Sequence, residues 1–332
     1  MEKIRFGIVG CGTVSRRHIE AIEACEHAQL TAVCDSYAPN LQKAVEATGA
    51  QGFDDYKKLI HSGLVDAVDI LTASGLHAHI GIEAACAGKH VLVEKPIDVT
   101  LQAAQALVDA CRANGVKLSC IFQRRFGEPV QAIRAAISRG DFGMLNECCC
   151  HTKWYRDQAY YDCVDWRGTW ALDGGGALMN QSIHYVDLMQ YLMGEVDEVM
   201  GYTATRAHQR METEDVAVAA LRFKSGALGL IEGTTSAYPG FSTRLDIHGD
   251  KGSVMLENDA IRFWQFENGL DCDERLKNAS ASNAHSLQIC DFAQSILHNR
   301  EPAVTGEEAL KSLRIIGAIY ESARLGKPVK VK

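Results

Sequence analysis

A lysine, a histidine and a glycine turn are the residues of this chain that could do chemistry. Lys95 stands in Glu94-Lys95-Pro96, directly after the apolar run Val91-Leu92-Val93. Pro96 biases Lys95 toward extended backbone. In a crevice, an ammonium donates to a hydroxyl and steadies a developing alkoxide, and burial lowers its pKa toward proton transfer. His184 lies in the run Gly174-Gly175-Gly176-Ala177-Leu178-Met179-Asn180-Gln181-Ser182-Ile183-His184-Tyr185-Val186-Asp187. Read as helix from Ala177, this run places Asn180 and His184 at i and i+4 on one face, with Asp187 set to orient the imidazole. An imidazole titrates near working pH, so His184 is the candidate to take a hydroxyl proton. The plainer alternatives are a lysine snorkelling at a strand edge and a satisfied structural histidine. Three preceding glycines, which let backbone approach a ligand closely, favour the functional reading of the histidine.

The glycine turn is Gly10-Cys11-Gly12-Thr13-Val14-Ser15, fed by the strand-like run Ile4 to Val9 and followed by a helix-like stretch. Gly10 permits a tight turn, Gly12 a close backbone approach, and the helix N-terminus offers free N–H groups to a pyrophosphate. Ser15 takes the place of the usual third glycine. The next apolar run ends at Asp35, close to the spacing of an acid that binds the adenosine ribose hydroxyls. Ser36 and Tyr37 follow it, with no adjacent arginine to hold a 2′-phosphate, so NAD is expected over NADP. Thr13 and Val14 in the turn belong to the same cradle. So do Thr72, Ser74, His77, Glu94, Lys95 and Gln123, at the ends of later strands. The alternatives are a βα turn without a ligand and a solvated strand-end carboxylate.

A third group runs from Trp154-Tyr155-Arg156 to Trp166-Arg167-Gly168-Thr169-Trp170. It holds six of the 24 aromatic residues and three of the four tryptophans. Aromatic faces stack on sugars or bases, and Arg156 and Arg167 can hold a carboxylate or phosphate by paired hydrogen bonds. Trp154, Tyr155, Arg156, Tyr161, Arg167 and Trp170, with Arg124 after the fifth predicted strand, are the expected substrate contacts beside Lys95, Asn180 and His184. The alternative is a loop pinned by its aromatics, with the arginines solvated.

These residues need elements to position them. Over the first 122 residues, strands near 4–9, 29–34, 67–71, 90–94 and 117–122 alternate with helices near 16–26, 39–48, 55–62, 78–87 and 100–113, which predicts a parallel sheet covered on both faces. Ligands of such sheets sit at the carboxyl ends of the strands. A helix near 129–139 and a strand near 145–153 follow. Apolar and polar residues then alternate over 196–265, which predicts a mostly antiparallel open sheet with one face available for an oligomer contact. Helices near 285–298 and 306–325 close the chain. The expected fold class is α/β, with a dinucleotide-binding domain over 1–123 and a substrate and oligomerisation domain over 124–332, the C-terminal helices free to pack back on the first.

The chain has 332 residues and a net charge of −8, which argues against a nucleic-acid surface. No stretch approaches the length of a membrane span, and the first strand starts too early to leave room for a signal peptide, so a cytoplasmic protein is expected. Twelve cysteines, mostly within apolar runs, read as small buried hydrophobes in a reducing compartment, and disulfides are not expected. Cys148-Cys149-Cys150 is the one cluster. Neighbours on a strand point to opposite faces, so no metal centre is expected there.

Gly10-Cys11-Gly12, Glu94-Lys95-Pro96 and the Gly174–Asp187 run, in this order, resemble the Gfo/Idh/MocA oxidoreductases, which include glucose–fructose oxidoreductase and inositol dehydrogenase. The resemblance spans essentially the whole chain. It implies an N-terminal Rossmann domain and a C-terminal α/β domain whose open sheet mediates dimers or tetramers. It also implies hydride transfer between a nicotinamide and a carbohydrate hydroxyl, with Lys95 and His184 as the catalytic pair. Many members carry an aspartate four residues before that histidine. Asn180 stands there and cannot accept a proton at neutral pH, so it is assigned to substrate hydrogen bonding. The Asn180-Gln181-x-x-His184 variant and the arginine-bearing aromatic loop are similar to UDP-N-acetylglucosaminuronate 3-dehydrogenases within the family. Free sugars, sugar acids and inositols stay open as substrates. Two other activities stay open as well: glycoside hydrolysis through transient oxidation, and non-catalytic dinucleotide-binding regulation.

Overall fold

Strand–helix alternation in the first third of the chain builds a six-stranded parallel sheet. The computed structural model describes residues 3–279 and 283–332. These form two compact units, one of residues 3–123 with 283–310 and one of residues 124–279 with 311–332.

In the first unit the strands are β1 (Ile4–Val9), β2 (Ala28–Cys34), β3 (Gln51–Phe53), β4 (Ala67–Ile70), β5 (His90–Val93) and β6 (Leu118–Cys120). Their order is β3-β2-β1-β4-β5-β6, so the direction of winding reverses between β1 and β4, where such sheets bind ligands. The helices are α1 (Ser15–Ala24), α2 (Ala38–Thr48), α3 (Tyr56–Ile60), α4 (His77–Cys86) and α5 (Leu101–Ala113). Local chemistry sets their ends. Gly49, with φ +68°, stops α2, as left-handed C-caps do. The Thr100 hydroxyl accepts from Ala103 N at 3.1 Å and starts α5. Strand β3 escapes the sequence reading because three residues are too few to show a period.

The helix α10 (Ala284–Leu297) completes this unit. Its Ile289 and Phe292 join Phe6, Ile8, Ile22 and Leu92 in one buried cluster. Because α10 packs on α1, Cys25 and Cys290 come together with Cα atoms 5.5 Å apart and form a disulfide. This corrects the expectation of no disulfide. A pairing across 265 residues is set by helix packing and leaves no mark in local spacing.

In the second unit, α6 (Glu128–Arg139), β7 (Leu145–Lys153) and α7 (Gln158–Asp162) precede a π-helical turn (Ala177–Ser182) that runs into α8 (Ile183–Met193). Then come β8 (Val196–Ala204), β9 (Val216–Phe223), β10 (Leu228–Thr234), β11 (Thr243–Gly249), β12 (Gly252–Glu257), β13 (Ala260–Phe266) and α9 (Glu274–Lys277). The last helix, α11 (Gly306–Leu325), begins within the stretch assigned to the first unit, and β14 (Val329–Lys330) ends the chain. The sheet order is β13-β12-β11-β7-β10-β9-β8-β14. Within this sheet, among the described residues, only the β7–β10 pair is parallel. The π turn and α8 lie against β7, β10 and β11. Alternation holds on β7: Cys148 and Cys150 are buried and Cys149 is half-exposed, which separates the three sulfurs between two faces. No described helix is long and apolar enough to cross a membrane.

Candidate active site

In the first unit the glycine turn sits at the end of β1. Gly10 has φ +102°, and a Cβ there would lie 2.8 Å from the Leu71 carbonyl, so only glycine fits. Above Gly12 the space is open, with nothing within 4 Å of where a Cβ would be. The helix α1 has no side-chain cap and no acid in its first turn, which leaves its N–H groups and positive dipole end for an anion. Ser15 Oγ donates to Gly12 O at 2.7 Å and ties the turn to the helix. Asp35 accepts from Cys11 N at 2.8 Å, Tyr37 N at 2.8 Å and Asn40 Nδ2 at 3.3 Å, so its carboxylate is held at the mouth of this turn. Gln123 Oε1 is a buried acceptor without a partner among the described residues. An open turn, an uncapped helix, a fixed acid and an orphaned acceptor together fit a dinucleotide.

Other residues assigned to that cradle are already engaged. Both ring nitrogens of buried His77 meet backbone carbonyls, of Pro96 at 2.8 Å and Thr72 at 3.1 Å. Glu94 is also buried. Its Oε1 lies 3.1 Å from His18 Nε2, and its Oε2 accepts the Lys95 backbone N–H at 2.9 Å. His18 on α1 and Asp69 on β4, 2.7 Å apart, complete a buried cluster that the sequence reading did not single out.

In the second unit two of the three glycines are dictated by what surrounds them, and Gly174 by its φ of +76°. A Cβ on Gly175 would run into the Tyr320 hydroxyl, and one on Gly176 into the carbonyl oxygen of Glu214. Glu214 caps the start of the π turn. Its carboxylate accepts from Gly176 N at 3.1 Å and Leu178 N at 2.8 Å, and its carbonyl from Ala177 N at 2.9 Å. Tyr320 Oη donates to the same carboxylate at 3.0 Å. Burial pushes the Glu214 carboxyl up to about 7 against the pull of these donors. The turn is wider than the α-helix expected after Ala177, so Asn180 lies on π-helical backbone and His184 on the first turn of α8. π turns of this kind are frequent at functional sites.

Asn180 Nδ2 donates to Asp173 Oδ1 at 2.6 Å, which fixes the amide. Gln181 Nε2 donates to Asn180 Oδ1 at 2.9 Å and to Tyr160 Oη at 2.8 Å. Arg156 Nη2 reaches Gln181 Oε1 at 3.3 Å. Its guanidinium lies over the Trp154 and Tyr160 rings, each 5.2 Å away, and Arg167 covers Tyr160 at 4.2 Å. The Nε atoms of both arginines are buried without a hydrogen-bond partner among the described residues. The loop arginines are therefore held in an aromatic stack beside Asn180, half-buried with their Nε atoms out of water.

The remaining predicted contacts go elsewhere. Tyr161 is buried and bonds Thr235 Oγ1 at 2.7 Å. Tyr155 packs edge-to-face against Tyr238 and Trp170 against Tyr320, with both pairs of ring centroids 5.2 Å apart. Arg124 pairs with Asp259 and covers the Tyr185 ring. Asp187, expected to orient His184, is instead held in a two-pronged bond to buried Arg125 at 2.7 and 2.6 Å. Sequence reasoning missed Asp173 and Glu214. The signals were present: a carboxylate directly before three glycines, and Glu212-Thr213-Glu214-Asp215 interrupting an otherwise alternating stretch.

Residues 4–122 match the model of an oxidoreductase family's NAD-binding Rossmann fold, and residues 134–331 match the same family's C-terminal alpha/beta domain. The chain belongs to the Gfo/Idh/MocA oxidoreductase family. The WlbA dehydrogenase from Bordetella pertussis, solved in complex with NADH and UDP-GlcNAcA, is 38% identical, with a TM-score of 0.95 over 100% of this chain and 98% of that one. The myo-inositol 2-dehydrogenase of Thermotoga maritima is 28% identical over 99% of both chains. The D-apiose dehydrogenase of Paraburkholderia graminis is 26% identical over 100% of this chain and 91% of its own. Membership makes this chain an oxidoreductase acting on CH–OH groups with a nicotinamide cofactor.

Proposed function

We propose that this chain is an NAD-dependent dehydrogenase that oxidises a secondary hydroxyl of a nucleotide-sugar acid of the UDP-GlcNAcA kind. The observation that carries this is the stack of Arg156 and Arg167 on Trp154, Tyr160 and Trp166, one hydrogen bond from Gln181 and so next to Asn180. Two guanidiniums with buried, unpartnered Nε atoms suit a ligand carrying phosphates and a carboxylate. A free sugar or inositol offers them no anion. The full-length likeness to the WlbA dehydrogenase supports the same reading.

NAD, its pyrophosphate held over Gly10–Ser15, would supply the hydride acceptor. In the direction of oxidation, His184 takes the hydroxyl proton and the Lys95 ammonium donates a hydrogen bond to the oxygen as charge develops on it. Asn180, its amide set by Asp173, hydrogen-bonds the substrate and carries no proton. Asp35 holds the ribose hydroxyls, and the absence of an arginine beside it favours NAD over NADP.

We also propose a homo-oligomer through the outer face of the second unit's sheet. Tyr202, Val218, Leu228 and Leu230 stand exposed there on adjoining strands, with Tyr202 paired to Val218. The deciding experiment follows NADH absorbance with NAD and a panel of UDP-GlcNAcA, UDP-GlcNAc, free uronic acids and inositols. Reduction with UDP-GlcNAcA alone supports the reading. Reduction with an inositol and not with UDP-GlcNAcA overturns it.

A further inference from the structure

We infer that His18 is a positioning residue for Lys95, acting through the Glu94 carboxylate. The inference rests on the proposed role of Lys95 and extends it.

Both ring nitrogens of His18 face carboxylate oxygens, Asp69 Oδ2 at 2.7 Å and Glu94 Oε1 at 3.1 Å. A neutral imidazole has one donor and one acceptor, so with both carboxylates ionised only the imidazolium satisfies both partners. His18 and Asp69 are fully buried, where an unpaired charge is costly and a bonded one is rigid. Burial alone would strip the proton from His18, but Asp69 and Glu94 overturn that and raise it to about 10. Burial would also raise the Glu94 carboxyl, yet its bond to His18 holds it well below the usual carboxylate range. Burial pulls Asp69 the other way, upward, which makes Glu94 the more firmly ionised of the two.

That carboxylate is the link. While Oε1 meets His18, Oε2 accepts the Lys95 backbone N–H at 2.9 Å. On the far side of Lys95, His77 holds the Pro96 carbonyl at 2.8 Å, and Asp98 accepts from Ala78 N at 3.0 Å. The backbone that carries Lys95 is thus held from α1 on one side and from α4 on the other. Since α1 also follows Gly12, one helix both faces the cofactor turn and sets the lysine. A core ion pair serving stability alone would not need the second oxygen of Glu94 on the Lys95 backbone.

The test uses the full-length chain with UDP-GlcNAcA and NAD, and compares His18→Gln, Glu94→Ala, Glu94→Gln and Lys95→Met. Misplacement of a catalytic group by about 1 Å costs on the order of 10²-fold in rate. His18→Gln and Glu94→Ala should therefore slow single-turnover NAD reduction by about that factor, and His18→Gln should leave the NADH Kd and the substrate KM within about twofold of wild type. Glu94→Gln keeps an amide oxygen for the Lys95 N–H and lets a neutral His18 accept from its NH2, so it should recover most of the rate lost in Glu94→Ala. If His18→Gln fails to fold, the two Glu94 variants decide. A folded His18→Gln with wild-type rate, or equal rates for Glu94→Ala and Glu94→Gln, overturns the inference. So does stoichiometric zinc lost on mutating His18, because His18, Glu94 and His285 present ligand atoms within 4.8 Å of one another. Lys95→Met separates the two levels: full turnover there removes the role of Lys95 itself, whereas its loss beside an unaffected His18→Gln removes only the positioning.

Discussion

Glu214 should make the second unit less stable as pH rises, and Glu214→Gln should remove that dependence. The carboxyl is buried and moves from 4.5 for an ordinary glutamate to about 7 in the folded chain. The folded state therefore holds the proton more tightly than the unfolded state. The stabilisation is fully present below pH 4.5 and is lost as pH climbs through 7. At about 1.4 kcal/mol per pH unit, the span comes to about 3 kcal/mol. For a unit of this size that is roughly 6–12 °C in melting temperature. Glutamine keeps the shape and neutrality of the protonated acid, so the offset between variant and wild type should grow with pH by that amount. The assay is calorimetric melting of both proteins at intervals from pH 4.5 to 8. An offset that stays constant across the range would refute the reasoning. The donors from Gly176, Leu178 and Tyr320 would then outweigh burial and keep Glu214 ionised throughout.

Lys95→Met should abolish turnover while NADH affinity, measured by fluorescence titration, stays nearly intact; unchanged kcat would remove Lys95 from the chemistry. Losing a hydrogen bond to a charged group costs about 1.5–3 kcal/mol, so Arg156→Ala should raise the KM for UDP-GlcNAcA by roughly 10- to 100-fold and leave NAD binding unchanged. By the same magnitude, Asp35→Ala should weaken NAD binding roughly 10- to 100-fold and narrow the preference over NADP, which paired titrations would show. Gly176→Ala pushes a methyl into the Glu214 carbonyl and should lower stability by about 3 kcal/mol or more, read as the shift in denaturant midpoint.

The α/β class, the glycine turn and the Asp35 strand end were legible because each is local. A strand, a turn and a helix written within about fifteen residues impose their own geometry. Lys95 was legible because a proline and an apolar strand mark its place. Asn180 and His184 were proposed from spacing, and the backbone between them departs from the α-helix that spacing assumed. Glu214, reaching back some 40 residues to Gly176, forces that turn, and no local period records it. The same limit explains Tyr161, which matches its neighbours in composition yet enters the core, and Asp187, which goes to Arg125 across 62 residues. Residue types and short spacings decided which chemistry the chain can carry. Long-range packing decided which charges are buried together, His18 with Asp69 and Glu94 above all, and therefore which side chains are held still enough to use it. A buried charge must find its partner in space, and the partner's distance along the chain does not enter its energy.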